Sequence, residues 1–133
     1  MPLYRTLVRP GLLDLSQRQA FANDVVDVHC GVTGAPPSFV HVLYAEDDEG
    51  SLGEGQNALV FGTIRHGRTE EQRNEIATRL SEALAGHAGI EADTVTAVSV
   101  EIEASHTMEG GQLLPEPGSP EEEAWKAIGS ATG

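Results

Sequence analysis

Arg65 and Arg68, in the segment IRHGRT, are the residues best suited to hold an anion. They are two of seven arginines in a chain with 8 Lys+Arg against 21 Asp+Glu. The hydrophobic pattern puts them at the end of a strand and just before a helix, where backbone N–H groups and the helix dipole already favour negative charge. Two guanidinium forks there can grip a carboxylate or phosphate bidentately; the alternative is a pair of surface arginines partnering nearby carboxylates. Pro2 is the second candidate. Removal of Met1 would leave a prolyl secondary amine at the chain start. A terminal amine titrates near pH ~8 and lower when buried, within reach of acid–base work at neutral pH. The plainer reading is that Met-Pro only governs trimming. His29, in VDVHCGVTG, either bonds a helix-end carbonyl or donates to a ligand. Glu109, in HTMEGGQLLPEPG, is either a solvated loop carboxylate or, pressed into an apolar pocket, a base. Cys30 reads as a small buried residue, with no base placed to activate it. The remaining histidines, His41, His66, His87 and His106, have no metal-ligand spacing.

The elements that must position these groups form a repeat. Residues 3–8 read as a strand, and 16–32 as a helix with Phe21, Val25, Val28 and Val32 on one face. Ser16 and Gln19 fit a capping box, and Gly31, Gly34 and Pro36-Pro37 end the helix. Residues 39–45 read as a second strand. EDDEGSLGEGQN, 46–57, reads as a solvated loop or a lid; its GSLGEG lacks the Lys-Ser/Thr of a phosphate loop. The pattern then recurs: strand 58–65, helix 69–85 opened by Thr69 and Gln72, strand 94–102. A shift of 55 positions places Gln17-Arg18 on Gln72-Arg73, Gly31 on Gly86, Gly34 on Gly89, Val40 on Val95 and Glu46 on Glu101 without a gap. The expected fold is α/β: two β-α-β units, about 2–46 and 58–103, giving a four-stranded sheet with both helices on one face. The strands are apolar on both sides, which suits a sheet buried on both faces. The tail, 104–133, offers only a short helix beginning at Ser119-Pro120, with Ala124, Trp125 and Ile128 on one side. Other copies of the chain are therefore expected to cover the open face.

The chain has 133 residues and a formal charge of −13, the size of a single domain. That charge argues against a nucleic-acid or anionic-membrane surface. No apolar run approaches the roughly 20 residues of a membrane span. The start MPLYRTLVRPG lacks a signal peptide's apolar core, so a cytoplasmic location is expected. A single cysteine excludes an internal disulfide.

PLY at the start, DVHCGVTG, IRHGRT before the second helix, and MEGGQLLPEPG together resemble the tautomerase superfamily, and within it the cis-3-chloroacrylic acid dehalogenase family, from Pro2 to about Gly118. The resemblance implies a homotrimer with inward-facing sheets and no cofactor or metal. It implies that Pro2 is catalytic, that Arg65 and Arg68 grip a substrate carboxylate with help from His29, and that Glu109 activates water. One position departs from the family. The tyrosine that assists water activation falls on Val98, which can neither donate nor accept a hydrogen bond. Proton transfer on an enol or 2-keto acid survives that change better than haloacrylate hydrolysis. The expected activity is thus an amino-terminal-proline tautomerase of a small enol/2-keto or unsaturated carboxylate, with low-level dehalogenase or hydratase activity in second place. A non-catalytic trimer binding a small carboxylate or phosphate metabolite is the alternative.

Overall fold

The computed structural model describes residues 1–132; Gly133, the end of the expected tail, lies outside the described residues. The element order is β1 (Leu3–Val8), α1 (Leu15–Thr33), β2 (His41–Glu46), β3 (Ala58–Arg65), α2 (Glu70–Ala88), β4 (Val95–Ile102), a hairpin of β5 (Met108–Glu109) and β6 (Gln112–Leu113), and α3 (Pro120–Thr132). The four long strands form one sheet in the order β2-β1-β3-β4. β1 is parallel to β2, β3 is parallel to β4, and β1 runs antiparallel to β3. The expected four-stranded sheet built from two β-α-β units is the fold observed.

The repeat is visible in the caps. Asp14 accepts a hydrogen bond from the Gln17 N–H at 2.8 Å, and the Gln17 side-chain oxygen accepts one from the Asp14 N–H. Thr69 and Gln72 make the same reciprocal pair. Each helix has 19 residues and ends on a left-handed glycine, Gly34 or Gly89. The first cap is thus Asp14 rather than Ser16, and Leu15 is already helical. Asp14 is the residue that corresponds to Thr69 in the repeat.

The core lies between the sheet and both helices. Tyr4, Val8, Val60, Ile64 and Val95 from the strands pack with Phe21, Val25, Ile76, Leu80 and Leu84 from α1 and α2. Gly62, opposite Tyr4 in the sheet, is the residue that admits the Tyr4 ring: a Cβ there would lie 2.6 Å from the ring carbon Cε1. The other sheet face is bare. Leu43 is 54% exposed, Val98 43% and Val100 40%, and Arg5, Leu7, Leu43, Leu59 and Phe61 line a shallow groove on that side. The loop after β2 is better anchored than its composition suggests, because the Asp47 carboxylate accepts the Ser51 and Leu52 N–H groups at 2.7 and 2.8 Å. Among the described residues, no helix is long and apolar enough to cross a membrane.

Sheet register gathers the chemistry at one end. The antiparallel pairing of Leu3 with Thr63 sets the chain start beside the last residues of β3. The parallel pairing of Arg65 with Ile102 sends β4 out at the same end. Helix α1 returns the chain from β1 to a parallel strand, so its C-terminal turns come back to that end as well.

Candidate active site

His29 is buried, 2% exposed. Its Nδ1 lies 2.8 Å from the Tyr4 hydroxyl, with the two rings edge to face. Burial pushes the His29 imidazole down to about 4, and the charges of Arg68 and the chain terminus add to the effect. It is therefore neutral at physiological pH. Burial also drives the Tyr4 phenol well above its ordinary range, so the phenol keeps its proton. When the Tyr4 hydroxyl donates to Nδ1, the imidazole proton sits on Nε2; when Nδ1 carries the proton, the phenol oxygen accepts it. Of the two readings of His29, the helix-end carbonyl contact is not made by the ring among the described residues; Tyr4 holds it.

Arg68 follows Gly67, whose φ of +105° is open to glycine and strained for other residues. A Cβ at Gly67 would also press on Pro117 at 2.8 Å. This turn aims Arg68 back over α1, where Nη1 donates weakly to the Thr33 carbonyl at 3.5 Å. The Gln72 side chain donates to the Val32 carbonyl at 3.2 Å, tying the two helix ends together. Burial lowers the Arg68 guanidinium, as does Arg65, while Glu122 and Tyr4 oppose that shift. Arg68 has no carboxylate within salt-bridge distance among the described residues.

Arg65 is in the opposite situation. It is 4% exposed. Nη1 donates to the Pro115 carbonyl at 2.6 Å, Nη2 to the Glu122 carboxylate, and the guanidinium lies 4.6 Å from the centroid of the Trp125 ring. Trp125 in turn stacks on Phe39, with centroids 4.4 Å apart.

The chain's free amine is that of Met1, and it meets the Glu109 carboxylate at 2.5 Å. Pro2 itself is buried at the start of β1, and its nitrogen is bonded to Met1. Glu109 also lines a cleft of about 740 Å³ between the β5–β6 hairpin and α3, with Phe39, Leu114, Pro115, Trp125 and Ile128. The candidate residues lie toward one end of the sheet: the charges of Arg68 and the Met1 amine lower His29, Arg65 lowers Arg68, and the Met1 amine touches Glu109, while the Pro2 nitrogen is held in the Met1–Pro2 peptide bond. Val98 is apart from them, mid-strand opposite Phe61 on the bare sheet face. Tyr4, Glu122 and Trp125 complete the surroundings, and none was given a role in the site from sequence; Trp125 was read only as part of the apolar side of the tail helix. Glu122, one of three successive glutamates, carried no signal. No group of three or more His, Cys, Asp or Glu side chains that could hold a metal is present among the described residues.

The fold is a duplicated β-α-β sheet, with an amine–carboxylate contact, a buried imidazole and two arginines toward one end. Residues 1–129 match the family Tautomerase_3, described as "Putative oxalocrotonate tautomerase enzyme", and the chain belongs to that family. Among solved structures it is similar to a protein designated N1, a member of the cis-3-chloroacrylic acid dehalogenase family. That likeness has a TM-score of 0.82 at 27% identity, covering 97% of this chain and 99% of the other. Native Ps01740 is 34% identical with a TM-score of 0.72, covering 80% and 99%. A fused 4-OT asymmetric trimer shares the fold at 18% identity, with a TM-score of 0.74 and coverage of 84% and 94%. No curated protein sequence matches this chain.

Proposed function

We propose that the chain, once Met1 is removed, is a cofactor-independent tautomerase in which Pro2 moves a proton on a small enol or 2-keto carboxylate. The observation that carries this reading is the position of the chain start: the Met1 amine, one residue ahead of Pro2, is 2.5 Å from Glu109, in a site that also holds a neutral histidine and two arginines. In the proposed reaction, Arg68 and His29 Nε2–H bind the substrate carboxylate, with Arg65 as a further grip. Burial makes each such hydrogen bond stronger than it would be in water. The neutral Pro2 amine takes the proton of the enol hydroxyl at C2 and delivers it to C3. The O–H bond breaks, a C–H bond forms, and the C=C bond becomes C=O. Glu109 holds the protonated amine between the two transfers. Addition of water to a haloacrylate stands second in this proposal, because Val98 has no hydrogen-bonding group at the position where the resemblance places the water-activating tyrosine.

The working form in this proposal is a homotrimer; the fused 4-OT structure is an asymmetric trimer. The bare apolar face of the sheet supports it.

The test is ketonisation of phenylenolpyruvate. Replacing Pro2 by Ala is expected to lower kcat/KM by about 10²–10⁴-fold, the usual contribution of a positioned acid–base group, with folding unchanged by circular dichroism. Equal rates for wild type and Pro2→Ala would remove Pro2 from the chemistry. An intact mass that retains Met1 in active protein would do the same.

A further inference from the structure

Arg65 is close enough to lower the Arg68 guanidinium, yet the two are partnered differently. Arg68 faces a weak carbonyl contact. Arg65 is enclosed by the tail: Glu122 on Nη2, the Pro115 carbonyl on Nη1, and the indole of Trp125 against the guanidinium. Both Glu122 and Trp125 come from α3, one turn apart.

The tail carboxylate fits Arg65 incompletely. One oxygen of Glu122 takes Nη2. The other accepts from the Gly118 N–H at 3.3 Å and lies 3.7 Å from Lys126 Nζ. Arg65 Nε–H is buried and has no partner, and the same is true of Trp125 Nε1–H. A guanidinium presents Nε–H and Nη2–H as a parallel fork matched to the two oxygens of one carboxylate. Glu122 fills half of that fork. A buried donor without a partner is costly, so a carboxylate that satisfies both has a driving force to replace it.

We infer that Glu122 is an internal stand-in for the substrate carboxylate, and that α3 must release Arg65 before the arginine pair can grip substrate together. This rests on the proposed function for the identity of the anion. It adds a residue that sets affinity and selectivity. A free carboxylate competes with a tethered one, and a tether of this kind supplies an effective concentration on the order of millimolar. Substrates that cannot engage Nε and Nη2 together are screened out at this step. The negative charge of Glu122 beside the fork also repels an incoming anion until α3 moves.

Trp125 is the chain's one tryptophan, so its fluorescence reports release directly and without turnover. Acrylate, the simplest unsaturated carboxylate, is the probe. Titrated into the wild type, it is expected to change Trp125 emission saturably, as the indole leaves Arg65 and Phe39. Glu122→Gln keeps the shape and removes the charge. It is expected to bind acrylate about tenfold more tightly, given millimolar competition from the tether, and to lower KM while kcat holds. Arg65→Ala should abolish the emission response. Equal acrylate affinity in wild type and Glu122→Gln would overturn the inference, as would saturable binding to the wild type that leaves Trp125 emission unmoved or no binding to either protein. The outcomes separate from those for Pro2. If Pro2→Ala retains full activity but the Trp125 response is present, the catalytic reading fails and this one stands. If Pro2→Ala is inactive and Glu122→Gln binds acrylate no better, only this one fails.

Discussion

Folding places a histidine where it resists its proton. In the unfolded chain His29 titrates near ~6.5; in the folded chain burial, aided by Arg68 and the terminal amine, pushes it down to about 4. Between these values the unfolded state binds a proton that the native state refuses, so stability rises with pH across that window. It is fully present above the unfolded value and falls as pH drops toward 4, by about 3 kcal/mol from this residue. His29→Gln should flatten that part of the curve. Urea unfolding of both proteins at pH 7 and pH 4.5 measures it, and equal losses on acidification would show that His29 titrates freely in the native state. As candidates, Arg65 and Arg68 were legible because arginine is scarce in this acidic chain, and His29 and Glu109 because of the segments DVHCGVTG and MEGGQLLPEPG around them. Tyr4 was not, because its hydroxyl matters only once β1 lies against α1. Glu122 was not, because Glu121, Glu122 and Glu123 are indistinguishable until α3 docks and sets one of them on Arg65.

At the level of elements, the caps decide where each helix begins. Asp14→Ala and Thr69→Ala are each expected to lower stability by about 1 kcal/mol, since each removes a side-chain acceptor from an otherwise orphaned N–H. Ser16→Ala should be nearly neutral, because Ser16 lies inside α1 and is exposed. Denaturant midpoints for the three variants are the check; a loss at Ser16 equal to that at Asp14 would reverse the assignment. Both Asp14-x-x-Gln17 and Ser16-x-x-Gln19 have the form of a capping box, and local pattern does not separate them. The repeat does: the bounds of α2 lie 55 positions after those of α1, so Thr69 selects Asp14. Strands β1 and β3 matched their sequence patterns. In β2 the strand starts later than its apolar run, because Pro37 opens a short 3-10 turn that takes Phe39 out of the ladder and sets it under Trp125.

For the whole molecule, the sheet has one finished face and one bare one. Leu43 and Val98 are large, apolar and about half exposed, on a surface that two helices leave untouched. A paired Leu43→Asp and Val98→Asp variant is expected to run as a monomer of 14.1 kDa, and the proposed trimer of the wild type at three times that mass. Light scattering after gel filtration reads the difference, and an unchanged mass would place the contact elsewhere. The need for a cover was visible in the sequence from strands apolar on both sides; the identity of the cover was not, because it depends on a shape that a single copy does not contain. The meeting of Met1 with Glu109 has a practical corollary. An affinity tag or fusion partner joined ahead of Pro2 would thread its linker through the reaction centre itself, and one joined behind α3 would load the helix that covers Arg65. Preparations meant for kinetics therefore call for an unadorned chain, or for a tag that a protease clips off to leave the proline ring first.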